Sequence, residues 1–207
     1  MFSEIREGLS YIKGDLVLVK TLLMVTIAGI FIFNFNVLIP VFTREVLFLD
    51  EKTFGFLMSS LGFGSMIGAL LVSFKGKKGP KPHIILASLL IISAFLIIVG
   101  FSRTYLITAL LLAVIGIFNI LFSTTANSTL QIISKDEYRS RVMSVYTLLF
   151  AGTTPIGSLY AGFVSGRFGA DIAFSLSGLF ILTLVIAVNL VLKNRTYSLA
   201  KEKVKEV

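Results

Sequence analysis

The chain has no cysteine, which excludes disulfides and thiolate metal sites. Its one histidine, His83, falls in a loop near a membrane boundary and outside any ligand cluster. Charge is scarce too: Asp, Glu, Lys and Arg make up 14% of 207 residues. More telling is where charge is missing. Six runs carry none at all: Thr21 to Thr43, Thr53 to Phe74, Ile84 to Ser102, Thr104 to Ser134, Val142 to Gly166 and Ile172 to Leu192. An ionised side chain at the centre of a membrane helix costs about 2.5–3.5 kcal/mol on insertion scales, so those that occur are usually functional. Their absence leaves no proton relay in these runs. It also leaves no nucleophile with a base, no acid pair and no metal-ligand cluster at catalytic depth. No phosphate-binding glycine loop opens a helix, which argues against ATP coupling within this chain. Neither a catalytic residue nor a cofactor is expected.

What is present is apolar. Hydrophobic residues make up 56% of the chain and mean hydropathy is +0.93, too greasy for a soluble domain. A spanning helix needs roughly 20 apolar residues. Five runs fit one helix each. The fourth is longer but turns polar over Ser123 to Gln131, so it reads as one helix from about Tyr105 that emerges near Asn127. The expected fold is all-α: a polytopic membrane protein with six transmembrane helices.

The net charge of +8 follows topology, not nucleic acid. Fifteen Lys and Arg residues flank one side of the six runs and four the other. The rich side carries Lys75, Lys77, Lys78 and Lys81 in the stretch SFKGKKGPKPH, a glycine- and proline-bearing loop suited to a hinge. Positive residues stay cytoplasmic. Both termini and that loop are therefore expected to face the cytoplasm, across a plasma membrane. Residues 1–20 are expected to form a cytoplasmic amphipathic lead-in, because Phe2, Ile5, Leu9 and Ile12 recur at helical spacing. Residues 21–192 form the six-helix domain, and residues 193–207 a frayed, basic cytoplasmic tail.

The second and fifth runs echo one another. Aligning Gly68 with Gly157 sets small residues together at 69/158 and 73/162. The two runs cross in opposite directions. Two three-helix repeats, the second inverted, would produce this relation.

The stretch KDEYRSRVMSVYTLLFAGTTPIGSLYAG, Lys135 to Gly162, resembles the loop and eleventh helix of the major facilitator superfamily. SFKGKKGPKP resembles that family's glycine-and-base loop, without its usual acidic residue. FSEIREGLSYIKGDLVLVKTLLM and FNFNVLIPVFTREVL resemble the approach to the seventh helix and that helix itself. Within that family the chain resembles the siderophore and macrolide exporters. The resemblance implies the second six-helix half, helices seven to twelve, of a twelve-helix secondary transporter.

Several residues carry candidate roles. Asp136, Glu137, Arg139 and Arg141 are cytoplasmic gate candidates, pairing with one another or with a carboxylate on a neighbouring helix end. Plain positive-inside anchoring explains the arginines equally well. Gly64 with Gly68, Gly157 with Ala161, and Gly162 with Gly166 set small residues four apart, which permits close helix approach. Gly152 belongs with these glycines, and Pro155 is expected to bend the fifth helix. Asn34, Asn119, Asn127 and Gln131 are substrate-cavity candidates, with interhelical hydrogen bonding as the plainer role. Asn34 and Asn36 lie about 200° apart on a helix and cannot share a face; Asn34 fits the family's seventh-helix pattern better. Phe31 could wall the cavity, with Phe33 and Phe35 beside it, or face lipid.

Three functions fit this reading. One is half of a secondary active transporter, exporting a small organic solute by alternating access with a second six-helix half, either a separate chain or another copy. The others are an inactive remnant and a membrane scaffold without transport. The expected partners are the lipid bilayer, the second half and a small-molecule substrate, with no nucleic acid.

Overall fold

In the computed structural model, the described backbone covers residues 2–75 and 81–205, and the described side chains are those of 7–50, 52–74 and 81–192. Among the described residues eight helices follow in order: α1 (Phe2–Gly14), α2 (Leu16–Phe31), α3 (Phe35–Glu45), α4 (Glu51–Lys75), α5 (Pro82–Phe101), α6 (Tyr105–Ile133), α7 (Asp136–Phe168) and α8 (Ala170–Lys205). Helices α2 and α3 together make span one, and α4 to α8 make spans two to six. Among the described residues, six segments are long and apolar enough to cross a membrane. The protein is an all-helical membrane protein, as its charge-free runs require.

Spans one and two, three and four, four and five, and five and six pack on one another in turn. Tyr11 reaches Lys135, so α1 and the α6–α7 corner share one end, the basic end. Arg103 meets Asp171, so the α5–α6 and α7–α8 corners share the far end. The second trio of spans thus starts at the end opposite the first.

Glycines set the helix seams. On α4 against α6, Gly64 abuts the Ala113 backbone and a β-carbon on Gly68 would lie 2.6 Å from the Ile117 carbonyl oxygen. From the other side, Gly116 abuts the Leu61 carbonyl. The seam between α2 and α7 repeats this pattern. Gly157 abuts the Ile30 carbonyl, and Gly29 abuts Thr153. A Gly–Ile pair on span four faces Gly68 of span two, and a Gly–Ile pair on span one faces Gly157 of span five. Exchanging the two trios exchanges the two seams, which is the relation of inverted three-helix repeats. A third seam joins α5 and α8, where Gly178 abuts the Ser93 carbonyl and Gly100 abuts Ser175.

Local chemistry moves several boundaries. Span one starts at Leu16, not Thr21, because the Asp15 carboxylate accepts from the Val17 and Leu18 N–H groups and caps it. Span five starts at Asp136, with Asp136 and Glu137 in the first turn where the helix dipole favours anions. Gly169 ends it at φ +96, a conformation suited to glycine. The frayed tail expected after Leu192 is helical to Lys205 in its backbone. The glycine-rich hinge of residues 76–80 lies outside the described residues; Lys81 follows it as the cap of α5, with Pro82 in the first turn.

Candidate functional site: a broken span and two outward faces

The expected single helix from Thr21 to Thr43 is broken at residues 32–34. The cause is Asn34. Its side-chain nitrogen donates to the Ile30 carbonyl at 2.5 Å, the acceptor that its own backbone N–H would use in a continuous helix. Asn34 then opens α3 as its cap, and Pro40 inside α3 removes a further backbone donor. Irregular backbone at this depth is tolerated where protein buries it. That holds here: Asn34 is 1% exposed, and a β-carbon on Gly157 would lie 2.7 Å from its nitrogen.

The structure separates the two amides of span one. Asn34 is inside the bundle at the α2–α7 seam, and Asn36, two residues on, is the exposed one. Asn119 is half-buried on α6, with its side-chain oxygen buried and unpartnered among the described residues. Asn127 and Gln131 share a face, and the Gln131 amide donates to Asn127 at 2.5 Å. An amide overlooked in the sequence, Asn189 of span six, accepts from the half-buried Lys20 ammonium at 2.7 Å. Phe31 is half-buried in an aromatic cluster, 5.1 Å edge-on from Tyr160 and 5.3 Å from Phe180. Phe33 packs on Phe150 at 4.8 Å.

The four gate candidates divide. Arg139 pairs with Asp136 at 2.6 Å and donates to the Gln131 carbonyl at 2.8 Å, closing the α6–α7 corner on itself. Arg141 turns the other way and meets Glu7 of α1 at 2.8 Å. Glu137 is exposed. Sequence reasoning missed Glu7 because 134 residues separate the partners.

The glycines and Pro155 divide as well. Gly64, Gly68 and Gly157 lie in seams. Gly152 meets only Leu148 of its own helix, at 4.0 Å, and Gly162 meets nothing within 4 Å. Pro155 lies inside α7 without ending it and is exposed. These outward residues belong to a pattern. Ser144, Thr147, Ala151, Pro155, Gly162 and Gly166 form an exposed stripe of mostly small side chains along α7, with Leu148 among them. Gly55, Ser59, Gly62, Ala69 and Ser73 form its counterpart on α4, with Met66 among them. About a quarter-turn away on each helix runs a second exposed stripe of large apolar groups. On α7 it includes Ile156, Leu159 and Phe163, and on α4 Phe56, Phe63 and Leu70. Both helices therefore show two different outward faces.

Residues 1–205 match the transmembrane secretion effector family of major facilitator proteins. The chain belongs to this family. Among curated proteins it is similar to macrolide efflux protein A of Streptococcus pyogenes, at 24% identity over 185 residues, covering 88% of this chain and 46% of that protein. The counterpart in the serotype M6 strain of that species matches to the same extent. The chain thus spans less than half the length of these relatives. No solved structure matches it. The six apolar helices found among the described residues supply the membrane body such a family needs.

Proposed function

We propose that the chain is one half of a secondary active transporter that exports a small organic solute by alternating access with a second six-helix half. The observation that carries this reading is the pair of small-residue stripes on α4 and α7. Helices associate in lipid by close backbone approach, which small side chains permit. Large apolar side chains suit lipid contact. A second half docked on the two stripes would leave the Phe- and Leu-rich stripes against the bilayer. Coverage of 46% of the relatives' length leaves room on such proteins for another bundle of this size.

In this reading the basic end faces the cytoplasm, the membrane is the plasma membrane, and both ends of the chain are cytoplasmic. The exposed Asn36 joins the buried Asn34 as the cavity candidates of span one. Asn119, Asn127 and Gln131 are further cavity candidates, and the Asp136–Arg139 pair closes the α6–α7 corner. The relatives are named for macrolide efflux, and a macrolide is a fitting probe substrate. In this reading any titrating carboxylate belongs to the other half, because the six runs here carry no charge.

The docking face is tested by Gly62→Leu and Gly162→Leu, separately and together. Each should abolish co-purification with a six-helix first half, with thermal stability of this chain unchanged. Ile156→Ala on the lipid-facing stripe should leave co-purification intact. Loss of binding with Ile156→Ala, and none with the glycine variants, would overturn the assignment.

A further inference from the structure

Helix α1 is fastened to the basic end of span five by several contacts of different chemistry. The Glu7 carboxylate accepts from the Arg141 guanidinium at 2.8 Å. The Tyr11 ring stacks on Tyr138 with centroids 4.4 Å apart and planes 6° from parallel. The Tyr11 hydroxyl accepts the backbone N–H of Lys135, the residue that caps α7, at 3.0 Å. Gly8 lies directly under Arg141, where a β-carbon would come 3.1 Å from the arginine Cβ. Beneath these contacts Ile12, Leu18, Leu130 and Val142 are buried in one small cluster shared by α1, α2, α6 and α7.

We propose that α1 is a strap across the basic end, holding the α6–α7 corner against the start of span one, with the Glu7–Arg141 pair as its release point. A single residue, Asp15, separates α1 from α2, so α1 has little slack relative to span one. The parts of the strap differ in strength. The apolar cluster and the stacked rings supply its hold. The ion pair lies at the water side, with Glu7 58% and Arg141 29% exposed, and exposed pairs contribute little and break readily. Its geometry fixes where α1 sits: Gly8 lets the α1 backbone pass over Arg141, and a guanidinium 5.5 Å from the Tyr138 ring centre is shared between carboxylate and ring. Losing the pair frees the register of α1 before the cluster opens. The strap does not depend on what solute, if any, the bundle moves.

The absence of cysteine makes a direct test possible. Ser134 is 2% exposed at the α6–α7 corner, so Ser134→Cys places a single thiol beside the strap. The rate of its reaction with a water-soluble maleimide reports opening. Glu7→Arg and Arg141→Glu should each raise that rate about three- to tenfold, and the double swap should return it to the parent value. Glu7→Gln, which keeps the side-chain shape, should give a smaller rise in the same direction. Ser93→Cys in α5, at a site 0% exposed, serves as the control for a collapsed bundle and should remain unreactive in every variant. Equal Ser134→Cys rates in the parent, both reversals and Glu7→Gln would overturn the strap. So would a double swap that reacts as fast as the single reversals.

Discussion

Gly157 and Asn34 touch across the seam between spans one and five, so closely that any side chain at 157 would collide with the Asn34 amide and the Ile30 carbonyl. The Ile30 carbonyl is backbone, and the Asn34 amide is held against it by its hydrogen bond. Gly157→Ala should therefore lower stability by about 1–3 kcal/mol, the usual cost of overpacking a filled interior. Gly162→Ala, at an open site on the same helix, should change the isolated chain by less than about 0.5 kcal/mol. Thermal unfolding in detergent compares the two. Equal losses would contradict the seam.

The two amides of span one should separate by phenotype. Asn34→Ala removes the donor that satisfies the Ile30 carbonyl at the break, and an unmet buried acceptor costs roughly 1–3 kcal/mol. Asn36→Ala removes an exposed group and should leave thermal stability unchanged while reducing flux in the assembled transporter. Paired melting and transport measurements on both variants check this.

The far end has a fastening of its own. Arg103 pairs with Asp171 at 2.8 Å and also donates to the Gly100 and Ser102 carbonyls. Arg103 is 55% exposed, so solvent screening limits the pair to about 0.2–1 kcal/mol. Arg103→Ala should exceed Asp171→Asn in cost, because it also removes the two carbonyl bonds. Unfolding curves of both variants give the order.

One pH effect follows from the same end. The Thr53 hydroxyl and then the Thr53 N–H hold the Asp50 carboxyl below its ordinary value of 3.8. A carboxylate with a depressed folded pKa contributes stability that is present above the unfolded pKa and lost as pH falls through the folded one. Thr53→Val should raise the Asp50 pKa toward the ordinary range. Carboxyl NMR titration of the labelled protein reads the shift, and an unchanged midpoint would contradict the capping geometry.

How much of this was readable beforehand depends on what each feature rests on. Six spans follow from runs that lack charge, since length and solvation alone impose them. The small-residue spacing of Gly64, Gly68 and Gly157 marks faces able to approach another helix. Gly162 with Gly166 has the same spacing and yet points outward, because spacing gives a face and not its neighbour. The angle between Asn34 and Asn36 excludes a shared face, but the packing of α2 on α7 decides which one turns inward. The break after Phe31 left no trace in hydropathy, since it turns on one side-chain bond to Ile30. The Glu7 partner of Arg141 was hidden by chain distance: an amphipathic pattern predicts that α1 lies on a surface, not where on it.

The most direct test is flux through sealed vesicles that contain this chain alone or together with a six-helix first half, loaded with a labelled macrolide under an imposed ion gradient. The account predicts no flux above empty vesicles for the chain alone and clear efflux for the pair. Equal flux in both preparations would contradict it.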